Sequence, residues 1–241
     1  MDRTAIEAIT NLSEPHFMNY NGFRYSDKSL SVVNVLKIPC IPFATLNGML
    51  DVLADEIDKL ISPEEKLIIH ITNADSVDVI SPIVKADNSR PVIYRANANL
   101  PNYTFSRYLD YESMVISLKS KFVDNEDLNT LVQLMGTITT ENAATVADDG
   151  FTQTVTVKKG VVMKENRAIN PYFKLKPYRT FIECEQPESI FLLRIRDGSA
   201  ALFEADGGAW ELEARRNVKK YVTNYLKGIS ETAFDKVLIV E

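Results

Sequence analysis

Residues 147–160 read ADDGFTQTVTVKKG, and their interpretation decides the fold class. Asp149-Gly150 is a dipeptide that accepts the positive φ of a tight hairpin turn. After it, Thr152, Thr154 and Thr156 alternate with Gln153, Val155 and Val157, the period of two that gives a strand two distinct faces. Residues 143–147 supply the partner strand. Downstream the same pattern recurs in short pieces, and strands are expected at 161–164, 173–176, 179–183, 190–195 and 200–204, with Asp197-Gly198 as a second turn. The run closes on one amphipathic helix over 209–227. Ala214, Val218, Tyr221, Val222 and Tyr225 form its apolar stripe. Glu211 and Glu213 precede Arg215, Arg216, Lys219 and Lys220, an order that suits the helix dipole and sets Glu211 four residues before Arg215. Asp206 is expected to cap this helix, Gly207-Gly208 to make the turn into it, and Trp210 to anchor it on the sheet.

Upstream the pattern is mixed. Residues 2–12 carry a short helical stripe. Residues 22–25 and 30–36 suggest a hairpin about Ser26-Asp27-Lys28, and 38–42 is extended because each proline disfavours helix at the residue before it. The clearest early helix spans 45–61, with Thr45 as its cap and Ser62-Pro63 as its end. Strands follow at 67–72, 77–84 and 91–96. Residues 111–122 fit both periods, with Met114, Ile116 and Leu118 alternating and Tyr111, Met114, Val115 and Leu118 on a helical stripe, and are read as helix; 126–138 is a clearer helix. Helices and strands do not alternate regularly, which predicts an α+β fold. Residues 1–140 form a mixed N-terminal part, and 141–241 a mainly antiparallel β-rich unit with its closing helix. With no linker-like stretch near residue 140, the two also fit one continuous domain.

Composition narrows the function classes. Of 241 residues, 45% are hydrophobic and 25% charged, as in ordinary globular proteins. No run approaches the roughly 20 apolar residues of a bilayer span, and the N-terminus lacks a signal-peptide pattern, so a cytoplasmic protein without a membrane partner is expected. Cys40 and Cys184 are expected as free thiols. With His16 and His70 they have no familiar zinc spacing, and no cofactor motif is visible. Residues 1–140 hold 12 Lys/Arg and 18 Asp/Glu, whereas 141–241 hold 15 of each, so the net charge of −6 belongs to the first part.

One stretch reverses that sign. Between Gly150 and Phe181 lie Lys158, Lys159, Lys164, Arg167, Lys174, Lys176 and Arg179 against the single acid Glu165. Phe151, Tyr172, Phe173, Tyr178 and Phe181 are interleaved with them. Cations attract phosphates and aromatic faces stack on bases, so this composition suits a nucleotide or a single strand. Candidate ligand-binding residues are Lys158, Lys159, Lys174, Lys176, Arg179, Tyr172 and Tyr178. A competing chemistry is a metal-dependent hydrolase or nuclease using Asp148, Asp149, Glu183 and Glu185, the last two sharing a face if 179–183 continues as a strand. Turn preference alone accounts for the aspartates, and no catalytic residue or metal ligand is assigned.

The runs DDGFTQTVTVKKG (148–160), NPYFKLKPYRTFIECEQPESIFLLRIRDG (170–198) and ALFEADGGAWELEARRNVKKYV (201–222) resemble uncharacterised proteins of bacteriophages and prophages, and more distantly the YfdQ-like family. The similarity extends over about residues 40–227 and is best from Asp148 onward. It implies a phage or prophage origin and a bacterial cytoplasm, with no established activity. The expectation is a non-enzymatic accessory protein that binds a nucleic acid, a nucleotide or a host protein, with a homodimer among its expected states; a structural or assembly protein of the phage particle is the remaining alternative.

Overall fold

The computed structural model describes residues 2–4, 15–20, 23–28, 39–84, 88–140, 144–148, 153–159, 162–196 and 198–241. The chain divides into two compact units, Met1–Pro39 and Cys40–Glu241. In the first, β1 (Phe17–Tyr20) pairs antiparallel with β2 (Phe23–Ser26). The His16 amide donates to Asp27 Oδ1 at 2.7 Å, closing the ladder. β2 matches the first arm of the hairpin expected about Ser26-Asp27-Lys28, and its partner among the described residues is 17–20; the second arm, 30–36, and most of the 2–12 helix fall outside the described residues.

The second unit begins with β3 (Ile41–Phe43), α1 (Leu46–Leu60), β4 (Leu67–Ile71), β5 (Ser76–Ile80) and β6 (Val92–Asn97). It continues through β7 (Leu109–Asp110), α2 (Tyr111–Lys121), β8 (Phe122–Val123) and α3 (Glu126–Thr140). Next come β9 (Ala144–Asp148), β10 (Gln153–Lys159), β11 (Val162–Ile169) and β12 (Tyr172–Pro177). Then β13 (Ser189–Arg196) and β14 (Ser199–Glu204) precede α4 (Ala209–Ile229), α5 (Glu231–Asp235) and β15 (Val237–Val240). The class is α+β, as the pattern predicts.

These strands make three sheets. The first is mixed, in the order β15-β4-β5-β6-β3, with parallel pairs at both edges. Leu67, Ile69, Ile71, Val77, Val79, Tyr94 and Ala96 alternate onto one face and are buried there under α1 and α4. Thr45 Oγ1 accepts from the Gly48 amide at 3.2 Å, capping α1 as its sequence predicts. Along α4, Ala214, Val218, Val222 and Leu226 recur every four residues and are fully buried. Each such Val or Leu contributes about 1.5–3 kcal/mol. On the other face Asp78 is buried and bound by the Arg95 fork, with both oxygens 2.7 Å from its nitrogens.

The second sheet is antiparallel, in the order β7-β14-β13-β12-β8. Phe173, Leu175, Phe191, Leu193, Ile195 and Leu202 meet Met114 and Leu118 of α2 and Leu128, Leu131 and Met135 of α3 in a second core. The third sheet, β11-β10-β9, contains the predicted hairpin, with Gln153 opposite Asp148. Its turn at Asp149-Gly150 lies outside the described residues. Both five-stranded sheets take strands from either side of residue 140.

Two local expectations are corrected. Residues 179–183 do not form a strand. They belong to a loop wound about buried Gln186, whose Oε1 accepts from the Arg179 and Thr180 amides and whose Nε2 donates to the Phe181 and Cys184 carbonyls. The cap of α4 is Gly208 in the left-handed region, φ 83°, and Asp206 Oδ1 accepts from the Gly208 amide rather than from the helix proper. No helix among the described residues is long and apolar enough to cross a membrane.

A candidate binding cleft between two cores

The chain crosses from one core to the other more than once, and two crossings lie side by side. Residues 98–108 leave β6 for β7, and residues 178–188 leave β12 while placing Phe181 and Cys184 in the first core. Thr180 Oγ1 donates to the Ala74 carbonyl at 2.5 Å, tying the second crossing to the β4–β5 turn. The first turns of α4 close the same region. Between these segments opens a cleft of about 400 Å³. Its walls carry the aromatic residues Tyr103, Phe105, Tyr178 and Trp210 and the cations Lys121, Arg179 and Arg215, with Asp75 and Glu211 as the acids.

Arg179 is the fixed member of this set. Its side chain is only 8% exposed. The guanidinium carbon lies 4.4 Å from the Trp210 ring centroid and 4.5 Å from that of Phe105. Phe105 in turn stacks on Phe191, with centroids 5.0 Å apart. Nη1 donates to Ser189 Oγ at 3.2 Å and Nη2 to Glu204 Oε1 at 2.5 Å. Burial lowers the pKa of this guanidinium, and the charge and hydrogen bond of Glu204 oppose that shift. With hydrogen bonds, an ion pair and aromatic rings around it, the cation is held at the cleft wall with little freedom to reorient.

The other cations are less constrained. Lys121 Nζ donates to the Asn102 carbonyl at 2.6 Å and lies 5.7 Å from the Tyr103 ring centroid. Arg215 lines the cleft one helical turn beyond Glu211, and among the described residues its side chain takes part in no hydrogen bond or ion pair, with Glu211 or with any other group. Burial pushes the Tyr103 hydroxyl up to about 12, so it stays protonated at neutral pH. Chemically, the cleft brings a fixed guanidinium and two further cations together with the aromatic residues Tyr103, Phe105, Tyr178 and Trp210. That set suits an anion joined to a flat ring.

Of the sequence-predicted binding residues, Tyr178 and Arg179 reach this cleft. Tyr172, Lys174 and Lys176 lie along the open face of β12, opposite buried Phe173 and Leu175. Lys174 and Lys176 line a second depression, of about 420 Å³, whose wall again includes Trp210. Lys158 and Lys159 end β10 in the third sheet. The acids of the hydrolase alternative have separate engagements. Glu183 accepts from the Leu46 amide at 3.0 Å, at the start of α1, and Glu185 lies 3.5 Å from Lys176 Nζ. Asp148 ends β9, and Asp149 is outside the described residues. No group of three or more His, Cys, Asp or Glu is placed to hold a metal among the described residues.

Lys121, Arg215 and Trp210 were missed as site residues. Trp210 had signalled only an anchor and Arg215 only an intrahelical pair, because their meeting depends on how two distant crossings pack. The chain matches no protein-family model, no curated protein and no solved structure.

Proposed function

We propose that this is a non-enzymatic binding protein for a nucleotide-type ligand, seated in the cleft between the two cores. The ring lies against Trp210 and Tyr178, and the phosphate is met by Arg215 and Lys121, with Arg179 as the fixed donor behind them. The observation that carries this reading is the convergence of these side chains, from separate segments of the chain, on one open cleft of about 400 Å³. The reading asks for binding alone, with no bond made or broken. A phage or prophage origin and a bacterial cytoplasmic setting rest on the sequence resemblance.

Calorimetry with a nucleoside, inorganic phosphate and the corresponding mononucleotide tests it. The mononucleotide is expected to bind at least tenfold more tightly than either part, because it alone engages both the rings and the cations. Equal affinity for phosphate and mononucleotide, or no heat from any of the three at millimolar concentration, contradicts it.

A further inference from the structure

We infer that the natural ligand is a single-stranded polynucleotide, with one nucleotide in the cleft and its neighbours running along the open face of β12. The inference rests on the cleft reading and adds a track to it. Trp210 lines both depressions. From there Lys176, Lys174 and Tyr172 follow one another at every second position of one strand, all on the face away from the core. A strand advances about 3.3 Å per residue, so the lysines stand roughly 7 Å apart and the track is about 13 Å long. Two ammonium groups at that interval suit successive phosphates of an extended single strand.

The same face supplies surfaces for bases. Ile190 is the cross-strand partner of Lys174, and Leu192 that of Tyr172. Leu192 is followed across the sheet by Phe203. Tyr172 is 51% exposed and Ile190 40%, beside the lysines rather than beneath them. Stacking on such surfaces is tolerant of base identity.

Acids compete for the lysines. Glu188 lies 3.9 Å from Lys174 and Glu185 lies 3.5 Å from Lys176, and Asp206 and Glu213 line the same depression. The carboxylates of both pairs are at least 40% exposed, and surface pairs of this kind contribute little. Each ammonium exchanges its weak surface pair for a phosphate of the strand. Asp127 Oδ2 accepts from the Lys174 amide at 2.6 Å, and these five acids confine the strand to the lysine row and limit binding to short stretches.

The test is a length series of oligothymidylates, from the mononucleotide to the octamer, followed through the fluorescence of the lone tryptophan, Trp210. Affinity is expected to rise about tenfold or more between one and four nucleotides and then to level off. In the doubly substituted Lys174→Glu, Lys176→Glu protein the rise disappears, while mononucleotide affinity stays within about twofold. For the tetramer, the slope of log affinity against log salt also falls by about 1.4 relative to the unsubstituted protein. Lys174 is exposed and Lys176 half-buried, and an unchanged thermal midpoint establishes that the variant is folded. A length-independent affinity overturns the track and leaves the cleft reading standing. A rise that survives the double substitution overturns this path for the strand. No response to any length overturns the track and the cleft reading together.

Discussion

At the scale of single residues, the two thiols show how placement sets chemistry. Cys40 is exposed and Cys184 is buried in the first core, beside Phe181. Burial first, and the charge of Glu183 second, push the Cys184 thiol from 9.0 up to about 12. A thiol reacts as its thiolate, so Cys184 is inert in the native protein at pH 8. Titration with an aromatic disulfide at pH 8 is expected to release one equivalent promptly and the second only on unfolding. The linkage has a definite sign. Between about pH 9 and 12 the unfolded chain gives up a proton that the folded chain keeps, so this residue makes stability fall as pH rises through that window. Two equivalents reacting at the same rate at pH 8 contradict the buried placement. Arg179 illustrates the same dependence on surroundings: seven basic residues look alike in the stretch from Gly150 to Phe181, and only the fold makes this one a buried cation held among rings.

At the scale of elements, the loop after β12 is held by a side chain rather than by a ladder. Gln186 is 4% exposed and binds two amides through its oxygen and carbonyls through its nitrogen. Gln186→Glu preserves shape and the acceptor but turns the donor into an oxygen facing carbonyls. It is expected to lower stability by about 2–4 kcal/mol, read from the urea midpoint. A change below about 0.5 kcal/mol contradicts the role given to this residue. This loop also marks where the sequence stopped being legible. Helices α1, α3 and α4 and strands β12 and β13 follow from local periodicity, because each buries one regular face. Residues 179–183 alternate well enough to mimic a strand. Yet Pro187 lacks an amide donor and Gln186 satisfies the backbone from outside, so no ladder forms. The cap of α4 was misread for a related reason: Gly207 and Gly208 both take positive φ, at 64° and 83°, and this turns Asp206 back onto the turn instead of the helix.

At the scale of the whole molecule, the candidate cleft depends on interleaving. β15 returns from the end of the chain to pair with β4, while β7 and β8, before residue 140, flank strands that follow it. The crossings this requires form the walls of the cleft, which explains why its residues are scattered through the sequence. The basic, aromatic stretch was legible as composition, and its partition was not. Tyr178 and Arg179 entered the cleft, Tyr172, Lys174 and Lys176 the adjoining face, and Lys158 and Lys159 a separate sheet. The central claim is that the cleft holds a ring-bearing anion through Trp210 and Arg215. Its most direct test is a fluorescence titration of Trp210 with a mononucleotide in the unsubstituted protein and in Arg215→Ala. The account predicts saturable quenching, with the dissociation constant raised about tenfold by the substitution, the loss of one charge-assisted contact. An unchanged spectrum at saturating nucleotide, or equal affinity in the two proteins, would contradict it.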